Sequence, residues 1–169
     1  MSNKGFTLIE TLIYIAIIGG IVVSFVGFTL NISKSRQKTF VMQEVQANAR
    51  VALEAISHAV QSGSGINKSA SVFDSDPGKL SIVVSNSALN PTVIDLSTDD
   101  GVLQITEGNG VKMPITSNIV RVTNLSFTDL SSGSARENIK IGLTISFATS
   151  IDAGYQYSQS LETAVSVRE

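Results

Sequence analysis

The feature that most constrains this chain is an apolar run near its N-terminus, which contains no charged residue from Thr11 to Ile32. At about 1.5 Å per helical residue this run spans roughly 33 Å, enough to cross a hydrocarbon core about 30 Å thick. A secretory signal peptide would have a shorter apolar region followed by a small-residue cleavage site, and no A-x-A site follows here. The run therefore predicts a membrane-spanning helix.

A single carboxylate, Glu10, precedes this uncharged stretch. Burial of a carboxylate in lipid costs about 2.5 kcal/mol or more, and an ordinary single-pass anchor has no use for one. Glu10 is therefore a candidate functional residue. The alternative is a residue that lies at the level of the lipid headgroups and never enters the hydrocarbon.

The sequence KGFTLIE at residues 4–10 closely resembles the processing site of type IV pilins and pseudopilins. In that family a prepilin peptidase cuts after the glycine and methylates the new terminal amine. The resemblance implies that residues 1–5 are a leader, that cleavage falls between Gly5 and Phe6, and that Phe6 is N-methylated. It also implies that Glu10 pairs with the terminal amine of a neighbouring subunit during filament assembly.

Residues 6–62 are predicted to form one continuous helix, because all three prolines of the chain lie beyond it. Its first half, residues 6–32, is the transmembrane or filament-core part, and residues 33–62 are amphipathic. The apolar stripe of this second half consists of Val41, Val45, Ala49, Ala52, Ile56 and Val60, widened by Met42, Leu53 and Ala59. Lys34 and Lys38 project onto the same stripe, so packing against a domain is expected only after Thr39.

Three glycines interrupt the apolar half of the helix, at Gly19, Gly20 and Gly27. Each weakens a helix by up to about 1 kcal/mol relative to alanine. Close packing against another membrane helix is one explanation, since small residues line such contacts. The family resemblance implies a second role, in which this stretch loosens in the assembled filament.

Residues 63–169 are predicted to form a β-rich globular domain, and the fold class is α+β, with the long helix packed on an antiparallel sheet. The predicted strands are residues 80–84, 91–96, 102–106, 119–129, 138–149 and 156–167. In the fourth strand, Leu125 and Phe127 are expected on the side of Ile119, opposite Val120 and Val122. In the fifth strand, the alternation predicts that the following residues face inward: Ile139, Ile141, Leu143, Ile145 and Phe147.

Residues 101–168 more weakly resemble the C-terminal part of J-type minor pseudopilins and W-type minor pilins. The resemblance rests on a G-x-L strand at residues 101–103, a V-x-x-L-x-F strand at residues 122–127 and two long final strands. It implies that the chain is a minor subunit or a pseudopilin rather than a major pilin.

Composition argues against several other functions. The net charge of −2 does not suggest a nucleic-acid binder, and the absence of cysteine excludes disulfides and thiolate sites. Asp95, Asp99 and Asp100 are weak calcium candidates, but turn chemistry explains them and no EF-hand spacing exists. The only histidine, His58, is expected to be solvated. No catalytic set and no cofactor are predicted, so the chain is not expected to be an enzyme.

The sequence thus favours a structural subunit of a type IV pilus, a type II secretion pseudopilus or a DNA-uptake filament. The resemblance implies as partners other pilin or pseudopilin subunits, the prepilin peptidase, the inner-membrane assembly platform and membrane lipid. The expected location is the inner membrane, with a cytoplasmic N-terminus and an extracytoplasmic domain, and then the filament. Lys34, Arg36 and Lys38 oppose this orientation under the positive-inside rule. The alternative function is a membrane-tethered adhesin that never assembles.

Overall fold

The computed structural model describes residues 5–132, 136–148 and 156–168. Helix α1 (Leu8–Ser62) is followed by eight described strands, which are β1 (Gly65–Ile66), β2 (Leu80–Val83), β3 (Thr92–Leu96), β4 (Leu103–Glu107), β5 (Met113–Pro114), β6 (Val120–Asp129), β7 (Asn138–Phe147) and β8 (Ser158–Ser166). Residues 1–4 of the predicted leader lie outside the described part of the chain. The chain divides into an N-terminal unit, Met1–Thr39, and a C-terminal unit, Phe40–Glu169.

The N-terminal unit is helical from Leu8 onward, and two hydroxyl groups within its apolar run bond to the preceding turn of the helix. Ser24 Oγ donates to the Gly20 carbonyl at 2.9 Å, and Thr29 Oγ1 donates to the Phe25 carbonyl at 2.9 Å. Such bonds to the preceding turn leave neither of these two hydroxyl hydrogens unpaired. These two polar residues therefore cost little in an apolar surrounding.

The C-terminal unit contains two antiparallel sheets rather than the single sheet that the strand spacing suggested. One sheet has the order β1-β2-β3-β4-β5 and the other the order β6-β7-β8. The α+β class and the packing of the helix on antiparallel strands are confirmed. Sequence patterning did not identify β1 and β5, because two residues are too short to show an alternation.

One apolar core joins α1 to both sheets. The helix contributes Val45, Ala49, Ala52, Ile56, Ala59 and Val60 to a buried cluster that also contains residues of β2, β3, β4, β6 and β7. The predicted stripe is confirmed from Val41 to Val60, whereas Met42, which was expected to widen it, is exposed. The buried side chains of β7 are Ile139, Ile141, Leu143 and Ile145, as the alternation predicted, and Phe147 is partly buried.

The assignment of faces in β6 was wrong beyond its third residue. Val120 and Val122 are buried, and so are Leu125 and Phe127, which were expected on the opposite face. The pairing with β7 shifts between Val122 and Asn124, so a bulge inserts one extra residue into the strand. Because successive side chains alternate between faces, one inserted residue transfers all later side chains to the other face.

Polar contacts connect the two sheets at one end of the C-terminal unit. A carboxylate oxygen of Glu137, next to β7, accepts the backbone N–H of Ile66 in β1 at 2.5 Å. Lys68 Nζ lies 2.6 Å from Asp129 Oδ2 at the end of β6. This hydrogen bond, together with bonds from Ser131, lowers the pKa of the Asp129 carboxyl to about 2. The same contact raises the pKa of Lys68.

Candidate processing and assembly site

The peptide bond predicted to be cleaved lies just before the helix. Gly5, Phe6 and Thr7 are non-helical and exposed, and α1 begins at Leu8. A protease binds its substrate in an extended form, so a bond outside regular structure is more accessible to it than a bond inside a helix. The structure therefore places the Gly5–Phe6 bond where the helix does not have to unwind before cleavage.

Thr7 caps the N-terminus of α1, a role that the sequence reasoning missed. The Glu10 backbone N–H donates to the Thr7 carbonyl at 3.1 Å and lies 3.4 Å from Thr7 Oγ1. Thr7 and Glu10 have the T-x-x-E spacing of a capping box, and this spacing could have predicted the capping role of Thr7 from the sequence. Since Thr7 follows the proposed cleavage site, the cap would be retained in the mature chain.

The Glu10 side chain has no partner in the part of the chain that the structure describes. No hydrogen bond or ion pair of its carboxylate is present among residues 5–132, 136–148 and 156–168. Its position in the first helical turn is favourable, because the helix dipole stabilises a negative charge there. Phe6 is 73% exposed, and its ring lies edge-on to Tyr14 with the ring centroids 6.1 Å apart. Both predicted assembly residues are thus available to another molecule.

The helix of the N-terminal unit exposes its apolar side chains on all sides. No described residue between Gly5 and Phe40 is buried. By length and composition, α1 is long and apolar enough to cross a membrane. So large an apolar surface needs cover from lipid or from other helices, because soluble proteins rarely expose apolar patches of this extent.

The three helix glycines have no packing role within the single chain. A Cβ atom added at Gly19, Gly20 or Gly27 would meet no other group within 4 Å. Gly20 lies on a shallow groove along the helix, with Ala16 and Ser24 one turn away on either side. The segment is α-helical here, and its loosening in a filament stays a prediction.

The acidic residues named as calcium candidates are engaged in ordinary contacts or exposed. Asp95 accepts a hydrogen bond from Gln104 Nε2 at 2.7 Å and lies 3.6 Å from Lys112 Nζ. Asp99 and Asp100 are exposed next to the turn at Gly101. Among the described residues, no three acidic or histidine side chains lie close enough together to hold a metal ion. His58 is exposed on α1.

Residues 1–25 match the family model of the prokaryotic N-terminal methylation motif. The chain has a prepilin-type N-terminus. The motif includes Gly5, Phe6 and Glu10, and it supports assignment to the type IV pilin and pseudopilin family, whose members are structural subunits. Comparison with curated proteins and with solved structures gave no match. The prepilin-type N-terminus and the apolar helix behind it fit a membrane-anchored protein.

Proposed function

We propose that this chain is a type IV pilin-like structural subunit that is cleaved between Gly5 and Phe6, methylated on Phe6 and assembled into a filament. The observation that carries the proposal is the methylation motif at residues 1–25, continued by an apolar helix whose surface is uncovered. A tethered adhesin would also need a membrane helix. It would not need a cleavable leader or a carboxylate at the start of that helix.

Cleavage would change the electrostatics at the start of the helix. The mature chain would carry a positively charged amine on Phe6, four residues before the Glu10 carboxylate. In lipid a carboxylate and an ammonium buried together cost far less than either group alone. We propose that an incoming subunit places its Phe6 amine next to the Glu10 of a docked subunit. An uncleaved chain lacks this amine and would not dock in the same way.

The proposed orientation has a cytoplasmic N-terminus and an extracytoplasmic C-terminal unit. It is supported by the motif, because the peptidase acts on the cytoplasmic face of the membrane. Lys34, Arg36 and Lys38 outnumber Lys4 and favour the opposite orientation by the positive-inside rule. Enzymatic cutting at Gly5 would decide between the two, since it requires the leader to be cytoplasmic.

We further propose that the subunit is a minor pilin or a pseudopilin. The support for this is the likeness of residues 101–168 to the J-type and W-type minor subunits. The G-x-L segment ends at Leu103, the first residue of β4, and the V-x-x-L-x-F segment lies within β6. Measurement of subunit stoichiometry in purified filaments tests this assignment. A chain that makes up most of the filament mass would contradict it.

The assembly role of Glu10 is tested by the fraction of mature subunit found in sheared filaments compared with the fraction left in membranes. Glu10→Gln should preserve membrane insertion and cleavage but lower incorporation, because the amide cannot neutralise the neighbouring amine. Glu10→Leu should insert at least as well and incorporate no better. Glu44→Gln is the matched control and should incorporate normally. Equal incorporation of Glu10→Gln and the natural chain would show that the carboxylate is not the docking contact.

A further inference from the structure

The two units of the chain carry opposite charge. The N-terminal unit contains four basic residues and one acidic residue, and the C-terminal unit contains the other eight basic and thirteen acidic residues. Three of the four basic residues of the N-terminal unit are Lys34, Arg36 and Lys38, all exposed. None of the three has an ion pair among the residues that the structure describes.

The C-terminal unit contains an apolar groove with acidic groups along it. The groove has a volume of about 650 Å³ and lies between α1 and the five-stranded sheet. Val51, Ala55 and Ala59 line it from the helix, and Leu89 and Ile105 line it from the sheet side. Val51 is 51% exposed, so the apolar floor is open to another molecule.

Two carboxylates, Glu54 on α1 and Glu107 at the end of β4, belong to the lining of this groove. Neither forms an ion pair or a side-chain hydrogen bond within the described residues. Two unpaired carboxylates beside an apolar floor favour an occupant that presents a cation between apolar side chains. Charge complementarity of this kind selects partners and fixes their register.

One stripe of the basic part of α1 has this composition. Ile32, Arg36 and Phe40 are spaced by four residues and therefore lie along one face of the helix. Ile32 is 38% exposed and Phe40 is 49% exposed, although both are apolar. The guanidinium of Arg36 can bind a carboxylate through two parallel hydrogen bonds, which a lysine cannot do. We call residues 32–40 the neck.

We infer that the neck of one subunit docks in this groove of a second copy of the chain, with Arg36 between Glu54 and Glu107 and with Ile32 and Phe40 on the apolar floor. The inference rests on the proposed function, because subunits of one filament hold their helices parallel and can be staggered along the filament axis, whereas two copies anchored in the bilayer lie at the same depth. For parallel helices, contact of Arg36 with Glu54 and Ala55 brings Ile32 opposite Val51 and Phe40 opposite Ala59. In the docked pair the two helices are therefore shifted along their axes, so that Ile32 of one copy lies beside Val51 of the other. They are not paired side by side in the same register.

Cysteine cross-linking in whole cells, in which both assembled and membrane-anchored copies are present, tests this register, because the natural chain contains no cysteine. Two full-length copies with different tags are expressed together, one with Ile32→Cys and the other with Val51→Cys. Oxidation should link the two tags. Val51→Cys in both copies is the control for unshifted pairing and should give at least about tenfold less product. Equal yields from the two arrangements would overturn the inferred register.

Charge exchange tests the contact itself. Arg36→Glu in the Ile32→Cys copy should lower the cross-linking yield at least about tenfold, because it places like charges together. Glu54→Arg in the Val51→Cys copy should restore most of the yield. Glu44→Arg makes the same charge change on the same helix outside the groove and should not restore it. A yield unchanged by Arg36→Glu, or linkage of these cysteines only to a different protein, would overturn docking of a second copy.

The N-terminus of the linked subunits is determined in the same samples, so the two proposals fail separately. If the subunits are cleaved at Gly5 and no cross-link forms, neck docking is wrong and the pilin-like function stands. If the chain is not cleaved, the proposed function is wrong, and the cross-link alone decides whether the neck docks.

Discussion

The glycines of the two units lie in opposite surroundings. In the N-terminal unit, Gly19, Gly20 and Gly27 have open space where a side chain would be. In the C-terminal unit, a Cβ added at Gly63 would collide with Ile82, and one added at Gly108 would collide with the Ala88 carbonyl. Gly108 also has a φ of 56°, in the left-handed region that favours glycine.

The apolar side chains show the same difference. The apolar stripe from Val41 to Val60 is buried against the sheets, while the apolar side chains of the N-terminal unit face outward in every direction. The buried residues of the C-terminal unit are thus explained by contacts within one chain. The apolar residues of the N-terminal unit have no such contacts and need cover from lipid or from other helices.

The largest effect is expected from a charge placed in the core. A fragment of residues 34–169 should be soluble and folded, with mixed helix and strand content by circular dichroism. Ile56→Asp should unfold it, because an unpaired carboxylate buried between helix and sheets costs about 4 kcal/mol or more. Val51→Asp, at an exposed position of the same helix, should leave the spectrum unchanged. If the fragment with the natural sequence is disordered, the contacts between α1 and the two sheets are not sufficient to fold the C-terminal unit.

The second prediction compares two glycines in the full-length chain in detergent. Gly108→Ala should lower the melting temperature of the C-terminal unit, because the positive φ alone costs about 1–3 kcal/mol and the new methyl group meets Ala88. Gly27→Ala should not lower it, since open space surrounds that position. Equal destabilisation by the two changes would contradict the difference drawn between the units.

The smallest effect is expected from the ion pair of Lys68 with Asp129, because it is partly exposed. The pKa of Asp129 is lowered to about 2 in the folded chain, from an ordinary value near 3.8. The stability that the contact provides is therefore complete above about pH 4 and is lost as pH falls toward about 2. Both Asp129→Asn and Lys68→Gln should weaken the pH dependence of the free energy of unfolding, measured with urea across this pH range. If the free energy of unfolding of both variants still falls with decreasing pH as steeply as that of the natural chain, the contact is not formed in solution.

Much of the fold follows from periodicity in the sequence. The 3.6-residue pattern identified the stripe from Val41 to Val60, and the two-residue pattern identified six strands to within about two residues at most ends. The bulge in β6 could not be predicted, because it exists only in the pairing of that strand with β7. The division into two sheets likewise depends on which strands pair across long sequence separations.

The residues of the candidate sites likewise fall into those that the sequence could predict and those that it could not. Gly5, Phe6 and Glu10 could be named from the motif, because their spacing along one segment is the signal. Thr7 could have been added from its T-x-x-E spacing to Glu10. The groove between α1 and the five-stranded sheet could not be predicted, since Glu54 and Glu107 belong to elements that only folding brings together.

Cleavage and methylation are both read from the intact mass and the N-terminal sequence of the chain recovered from membranes. The prediction is a mature chain that begins with N-methylated Phe6. Gly5→Val should block cleavage and leave the full-length chain in the membrane. A natural chain that still begins at Met1, or that begins after Ile32, would contradict the assignment to the pilin-like subunits.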